Sequence, residues 1–61
     1  MTDDAINSAI AKSTGWTQDP ETDLWHIKGL PLGSTEKPNY IEFMGREMCI
    51  DYLKNKKLYE D

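Results

Sequence analysis

Residues 3–16 read DDAINSAIAKSTGW. Apolar and small side chains recur in this segment at the i, i+3, i+4, i+7 spacing that places them on one buried helix face. The members of that face are Ile6, Ala9, Ile10 and Ser13. Thr2 is a suitable N-cap, and Gly15 suits the left-handed position that commonly ends a helix. The pattern therefore predicts a first helix from about Asp3 to Thr14.

A short β-hairpin is predicted after this helix. The tetrad DPET at residues 19–22 favours a turn, because its proline fixes φ at the second turn position. WTQ at residues 16–18 and LWHI at residues 24–27 flank the turn and form the two predicted strands. Alternation places Trp25 and Ile27 on one face of the hairpin, and we expect this face to pack on the helices.

A loop and a second helix account for the rest of the chain. Residues 29–38 contain two prolines and two glycines, which is typical of a loop. The side chains expected to pack beneath this loop are Leu30 and Leu32. Asn39, with a glutamate three residues later, resembles a capping box. We therefore expect a second helix that begins at Tyr40 or Ile41 and runs to about Lys56.

The second helix is predicted to present two different faces. At 100° per residue, a narrow apolar stripe faces the core, with three more residues on its flank. The stripe consists of Ile41, Met44, Met48 and Tyr52, and the flank consists of Gly45, Cys49 and Leu53. Phe43 and Ile50 lie together on the opposite face, with Glu47 and Lys54 beside them.

The opposite face has two interpretations. Phe43 and Ile50 are either ordinary structural residues, exposed singly or covered by the C-terminal Leu58 and Tyr59, or they belong to a second packing surface. Such a surface would be a homodimer seam or a groove for a partner. The predicted partner interface consists of Phe43, Glu47, Ile50 and Lys54.

The predicted fold is a single α+β domain over residues 1–61, in the order helix, short antiparallel β-hairpin, helix. A chain of 61 residues can remove only a small part of its surface from water. The predicted core consists of Ile6, Ile10, Trp16, Trp25, Ile27, Ile41, Met44, Met48, Tyr52 and Leu53. One cysteine excludes an internal disulfide, and one histidine makes a structural zinc site a poor candidate. Oligomerisation then remains as a source of further burial.

Charge and hydropathy restrict the partners. Eleven acidic and seven basic residues give a formal net charge of −4, which opposes direct binding to nucleic-acid phosphates. The five acidic residues from Asp3 to Asp23 could instead imitate phosphate charge if they share one surface. No apolar run approaches the roughly 18 residues of a membrane span, and the first residues do not resemble a signal peptide. We therefore expect no membrane association and a cytoplasmic location.

The residues with chemical potential do not form a recognisable catalytic or ligand-binding motif. Asp23 and His26 are the nearest approach to a general-base pair, but a regular strand places them on opposite faces. Cys49 lies among apolar neighbours and is expected to be buried and inert. The sequence therefore predicts no catalytic residue, no cofactor, no metal ligand and a non-enzymatic protein.

One combination of features extends from about Ala5 to Tyr40. It comprises Ala9-Ile10-Ala11 near a helix end, Gly15-Trp16, an isolated Trp25, a Gly/Pro loop and Pro38-Asn39-Tyr40 opening a helix. This combination resembles the phage ABA-sandwich family, small proteins of bacteriophages and prophages in which a β layer lies between helices. The chain departs from the family in having Phe43-Met44 where members carry an aspartate, and in lacking their second half.

The resemblance implies a phage or prophage origin and a location in the host cytoplasm, and a second copy could supply the missing layer across a two-fold axis. Our prediction is a non-enzymatic accessory protein that acts by protein–protein binding, with a host defence component as a candidate target and a homodimer as the form. The alternative is an acidic nucleic-acid mimic that blocks a DNA- or RNA-binding enzyme. Binding by a mimic should weaken steeply with salt, whereas apolar docking should not.

Overall fold

The computed structural model of the chain describes residues 1–30 and 33–60. Helix α1 spans Asp3–Ser13, strands β1 and β2 span Trp16–Gln18 and Trp25–Ile27, and helices α2 and α3 span Tyr40–Met44 and Arg46–Asn55. The two strands form one antiparallel sheet. The predicted α+β order of helix, hairpin and helix is confirmed, except that the second helix is divided at Gly45.

Helix α1 has the ends that its sequence predicts. The Thr2 hydroxyl oxygen accepts a hydrogen bond from the Ala5 backbone N–H at 3.2 Å, as an N-cap does. Thr14 forms the C-cap, and Gly15 follows it with φ of 97°, a backbone conformation that costs a glycine little. The helix therefore stops at Ser13, and the chain turns directly into β1.

The hairpin is held by main-chain hydrogen bonds at both ends. Near the turn the Asp19 N–H donates to the Leu24 carbonyl at 2.8 Å, and at the open end the Lys28 N–H donates to the Gly15 carbonyl at 2.9 Å. Trp25 also exchanges a pair of backbone hydrogen bonds with Thr35, at 2.7 and 2.8 Å. The segment after the hairpin therefore runs beside β2.

The predicted burial of this region is partly wrong. Trp25 is buried as expected, but Ile27 is 47% exposed although it lies on the same hairpin face. The helix contacts of the hairpin run between α1 and β1, and Ile27 lies in β2, which no helix contacts among the described elements. Leu30 is exposed rather than packed beneath the loop, and Leu32 lies outside the described residues.

The prediction of one continuous second helix is also wrong, and the cause is the backbone of Gly45. The Gly45 N–H donates to the Ile41 carbonyl at 2.8 Å and closes α2, while its carbonyl accepts from the Cys49 N–H at 3.2 Å and opens α3. Its φ of 88° and ψ of 148° lie close to a region of conformational space that essentially only glycine occupies. The two helices therefore do not share one helical phase.

The break changes which side chains of α3 are buried. Met48 belongs to the predicted core but is 62% exposed, whereas Ile50 is half-buried and packs against the core, contrary to its predicted place on the outer face. Within α3 itself, Cys49 and Leu53 are fully buried at the four-residue spacing of one helix face. The buried face of α3 is therefore set by a helix that begins at Arg46, and it does not continue the buried face of the helix that begins at Tyr40.

The core lies between α1 and α3. Its buried side chains are Ile6, Ile10, Cys49 and Leu53, and its half-buried border includes Ile41, Met44 and Tyr52, as well as Tyr40, Ile50 and Tyr59. Trp16 is half-buried in the hairpin. Among the described elements, the contacts between hairpin and helices run through α1. The middle position is therefore occupied by α1, whereas the family resemblance implies a β layer there.

A buried amide fixes α2 against α1. Asn7 lies on the core side of α1, and its Oδ1 accepts from the Ile41 N–H at 3.1 Å. Its Nδ2 donates to Oδ1 of Asn39 at 3.2 Å, and the same Asn39 oxygen caps α2 by accepting from the Glu42 N–H at 3.1 Å. The Asn39 Nδ2 donates in turn to Glu42 Oε2 at 3.1 Å. The Asn39 cap is therefore present as predicted and is tied to the first helix, but Glu42 bonds to the Asn39 side chain and not to its backbone N–H as a full capping box requires.

The strain at Gly45 can be measured by substitution. Gly45→Ala should lower the free energy of unfolding by about 1–3 kcal/mol, because an L-residue is strained at this φ and ψ. Steric clash does not contribute, since an added Cβ would meet no atom within 4 Å. Gly33→Ala is the matched control: Gly33 lies in equally open space without a positive φ, so we expect a change within about 0.5 kcal/mol. Urea unfolding followed by tryptophan fluorescence measures the free energy of unfolding of both variants. Equal decreases for the two would contradict backbone strain at position 45.

The buried amide gives a second prediction. Asn7→Ala removes partners of Asn39 and of the Ile41 N–H, so it should cost about 1–3 kcal/mol and lower the Tm by roughly 10 °C. Asn55→Ala makes the same chemical change at an exposed residue at the end of α3, and we expect almost no shift. Thermal unfolding by circular dichroism measures both variants. Similar Tm values for the two would show that the Asn7 bridge does not stabilise the fold.

Candidate interaction surface

The four predicted interface residues do not share one environment. Phe43 lies on α2 and is 88% exposed, and Glu47 and Lys54 are exposed on α3. The Lys54 ammonium lies 5.3 Å from the centroid of the Tyr59 ring. Ile50, in contrast, is half-buried and packs against the core.

Phe43 is exposed because its neighbours on α2 are held to the core. Tyr40, Ile41 and Met44 are half-buried on the core side of this short helix. The Tyr40 hydroxyl lies 3.2 Å from the hydroxyl of Thr14, within hydrogen-bond distance. The N-terminus of α2 is also hydrogen-bonded to Asn7, so the helix is fixed at several points. Phe43 is the one large apolar side chain of α2 that is exposed to solvent.

Met48 is a second exposed large apolar side chain in this part of the chain, and the sequence pattern placed it in the core instead. It is exposed on α3, five residues from Phe43 across the break at Gly45, and Glu47 is exposed beside it in the chain. We call Phe43, Glu47 and Met48 the outer surface of α2 and α3. Recognising Gly45 as a helix boundary would have moved Met48 from the predicted core to this surface.

Two ion pairs neutralise the acidic first turn of α1. The Arg46 guanidinium donates from Nε to Asp3 at 2.9 Å and from Nη2 to the Met1 carbonyl at 3.2 Å. Lys37 pairs with the Asp4 carboxylate. These two acids are two of the five that a nucleic-acid mimic would need.

Lys37 also connects the first turn of α1 to the hairpin side of the molecule. Its ammonium donates to the Ser8 hydroxyl at 3.0 Å and lies 6.0 Å from the centroid of the Trp25 ring. The remaining acids, Asp19, Glu21 and Asp23, lie in or next to the hairpin turn, where the Asp19 carboxylate accepts from the Glu21 N–H at 2.9 Å. The five acids therefore belong to two local structures with different partners.

The candidate chemical residues lie in different parts of the fold. His26 is half-buried in β2, and its Nδ1 is buried without a hydrogen-bond partner among the described residues. Cys49 is 0% exposed in the core, and burial raises the pKa of its thiol. Residues 1–30 and 33–60 contain no cluster of His, Cys, Asp or Glu that could hold a metal ion. They also contain no helix that is both long and apolar enough to cross a membrane.

A groove of about 520 Å³ runs along α1. One wall is formed by α1 and the other by the C-terminal segment that folds back toward Met1. The lining residues are Met1, Ala5, Ser8, Ala9, Lys12, Ser13, Leu58 and Glu60. It is separate from the outer surface of α2 and α3, because the two share no residue.

No protein-family model, curated protein or solved structure matches the chain. The resemblance to the phage ABA-sandwich family therefore stays a prediction from the residues quoted for it.

The state of Cys49 can be tested by its reactivity. A thiol reacts as the thiolate, so complete burial and a raised pKa should both protect it from a disulfide reagent such as DTNB. We expect labelling of the folded chain at pH 8 to be at least about 100-fold slower than labelling in denaturing urea, because reaction requires opening of the core. A folded chain that reacts as fast as the unfolded one would contradict the packing of α3 on α1.

Proposed function

We propose that the chain acts by binding another protein through the outer surface of α2 and α3, with Phe43 as the central anchor. The observation that carries the proposal is the 88% exposure of an aromatic side chain on a helix that is otherwise fixed to the core. Aromatic residues that are buried on association are among the main contributors to protein–protein affinity. Burial of Phe43 by a partner would therefore contribute more binding free energy than burial of any other residue of this surface.

Two properties of this surface favour binding: its apolar side chains and the fixed position of α2. Complete burial of a phenylalanine side chain is worth about 1.5–3 kcal/mol, and exposed Met48 adds a flexible apolar contact that adapts to a partner. The hydrogen bonds of Asn7 and Asn39 hold α2 in place before binding, so little further ordering of its backbone is required. An exposed carboxylate at Glu47 would then favour a partner with a basic rim around an apolar pocket.

The total exposed surface supports a role in association. The accessible surface of the chain is 4559 Å², whereas a compact monomer of 7.0 kDa exposes about 4,000 Å² on average. The excess of several hundred Å² is of the size that a small interface removes from water on one partner. Exposed large apolar residues account for part of it.

The nucleic-acid mimic receives less support. Asp3 and Asp4 are engaged by Arg46 and Lys37, which reduces the local negative charge that a mimic would have to present. The accessory role in a phage or prophage, the host cytoplasm and the host defence target rest on the family resemblance alone. We retain them as the biological setting of the proposed binding activity.

Capture from a lysate of the cell of origin tests the proposal. Wild type, Phe43→Ala and Leu30→Ala are immobilised, and the retained proteins are quantified at low and high salt. Leu30 is the matched control, since it is also a large exposed apolar side chain but lies far from α2 in the sequence. We expect Phe43→Ala to reduce retention of a specific protein about tenfold or more, and Leu30→Ala to leave it unchanged.

Both variants should keep the stability of the wild type, because neither side chain is buried. Retention that depends on Phe43 should persist at high salt, since apolar burial is insensitive to screening. If the same proteins are retained by all three chains, binding through Phe43 is refuted. If retention is independent of Phe43 and disappears at high salt, the acidic mimic becomes the better explanation.

A further inference from the structure

The two edges of the β-hairpin differ in how their backbone groups are paired. At the outer edge of β2, Trp25 exchanges two backbone hydrogen bonds with Thr35. The Ile27 carbonyl at the same edge accepts from the Leu30 N–H at 2.8 Å. The outer edge of β2 is therefore mostly occupied by the segment that follows the hairpin.

The outer edge of β1 has no such pairing. The Asp19 N–H donates to the Leu24 carbonyl, and this bond fixes the alternation of the ladder between the two strands. In β1 the N–H and C=O groups of Trp16 and Gln18 therefore point away from β2. None of these four groups has a hydrogen-bond partner within residues 1–30 and 33–60. An unpaired strand edge of this kind is a template for pairing with another extended segment.

Helix α1 lies beside one face of the hairpin. The Lys37 ammonium donates to the Ser8 hydroxyl of α1 and lies 6.0 Å from the centroid of the Trp25 ring, so α1 is on the side of the sheet that carries Trp25. The edge of β1 points sideways from that face, and Gln18 is exposed there. Buried backbone polar groups without partners are rare, which indicates that the four unpaired groups face water.

Two copies of this edge are complementary to each other. A two-fold axis through Thr17, perpendicular to the sheet, places Trp16 of each copy opposite Gln18 of the other. Both residues point toward the other copy, so each pair exchanges two hydrogen bonds and all four groups of each copy are satisfied. Thr17 then lies opposite Thr17 of the other copy, which is a favourable cross-strand pair. The two hairpins together form one antiparallel sheet of four strands.

The charges on the hairpin fit the same arrangement. Lys28 is paired with Gly15, and alternation places its side chain on the same face of the sheet as that of Asp19. In the two-fold arrangement Gly15 lies opposite Asp19 of the other copy, so no side chain separates this carboxylate from Lys28. Two strand spacings place their backbones about 10 Å apart, within reach of a lysine side chain. Neither Lys28 nor Asp19 forms an ion pair in the part of the chain that the structure describes.

We infer that β1 pairs antiparallel with β1 of a second copy of the chain, so that the protein forms a two-fold symmetric dimer with a continuous four-stranded sheet. The contact is isologous, since the same edge is used by both copies. A strand of three residues is about 10 Å long, so the interface falls well below the roughly 1,200 Å² of typical stable complexes. The dimer is accordingly weak, with a Kd on the order of 0.1–1 mM.

Proline substitution tests this pairing. Gln18→Pro removes an N–H that points away from β2, so it deletes no bond of the hairpin ladder, and proline is tolerated at edge positions of this kind. It deletes two of the four hydrogen bonds between copies and should weaken self-association at least about tenfold. Gln18→Ala is the matched control: it also loses the side-chain bond to the Asp23 carbonyl but keeps the backbone N–H. Sedimentation equilibrium at millimolar concentration should show a change of at most about threefold for this control.

Hydrogen exchange of the wild type gives a second measure that does not require any variant to fold. The Trp16 and Gln18 amides should exchange several times more slowly at millimolar than at micromolar concentration, because pairing removes them from water. The Thr22 amide lies in the hairpin turn, outside the pairing, and its exchange should not depend on concentration. If the Trp16 and Gln18 amides behave like the Thr22 amide, the pairing is absent.

A charge reversal tests the antiparallel register. Lys28→Glu and Lys57→Glu each replace one positive by one negative charge, so both move the formal net charge from −4 to −6. Both lysines are exposed, but only Lys28 would lie near Asp19 of the other copy. Lys28→Glu should therefore weaken the dimer about fivefold more than Lys57→Glu does. Equal effects of the two reversals would contradict this register.

A further variant separates this inference from the proposed binding through Phe43. Phe43→Ala should leave self-association unchanged, since Phe43 lies on α2 and not on the hairpin. The inference is overturned by a wild type that stays monomeric at millimolar concentration, by a folded Gln18→Pro that associates as strongly as Gln18→Ala, or by a dimer that Phe43→Ala dissociates.

Discussion

The arrangement of this small fold depends on the Asn7 side chain. Its amide oxygen binds the Ile41 N–H and its amide nitrogen binds the side chain that caps α2, so one buried residue fixes the start of α2 relative to α1. A buried amide is strongly disfavoured in any arrangement that leaves it without partners. It therefore selects one orientation of α1, in which Ile6 and Ile10 face Cys49 and Leu53. With so few buried apolar residues, such selectivity is worth more than in a large core.

The charged residues reinforce the same orientation from outside. Arg46 connects the start of α3 to the first turn of α1, and Lys37 connects the loop before α2 to the same turn. Exposed ion pairs of this kind stabilise by only about 0–1 kcal/mol each. Their larger effect is on the surface, because they leave α1 with a neutralised first turn and a free lysine near its other end. The acidic composition of the chain is therefore a poor guide to where its negative charge is presented.

Features encoded by neighbouring residues could be predicted from the sequence. The Thr2 cap, the helix end at Gly15, the hairpin and the Asn39 cap each involve residues a few positions apart, and all are present. Features that depend on distant residues could not. Asn7 has its partners 32 and 34 positions away, so nothing near it indicates burial. The exposure of Ile27 likewise depends on which strand α1 contacts, because among the described elements the helix contacts of the hairpin run through β1.

The candidate surface shows how one backbone angle, φ of Gly45, can change which side chains of a helix are exposed. A continuous helical phase predicts that Phe43 is exposed, and it is exposed, but the reason is the attachment of α2 to Asn7 and not the pattern of α3. If the helix continued through Gly45, the phase that turns Ile41 and Met44 inward would also bury Met48 and expose Ile50. The positive φ of Gly45 releases α3 from that phase, so Ile50 can join Cys49 and Leu53 at the core. Glycine adopts this backbone conformation at low energetic cost because it has no Cβ, whereas any other residue would be strained there. The exposed pair Phe43 and Met48 is thus a consequence of two helices that each satisfy their own contacts with α1.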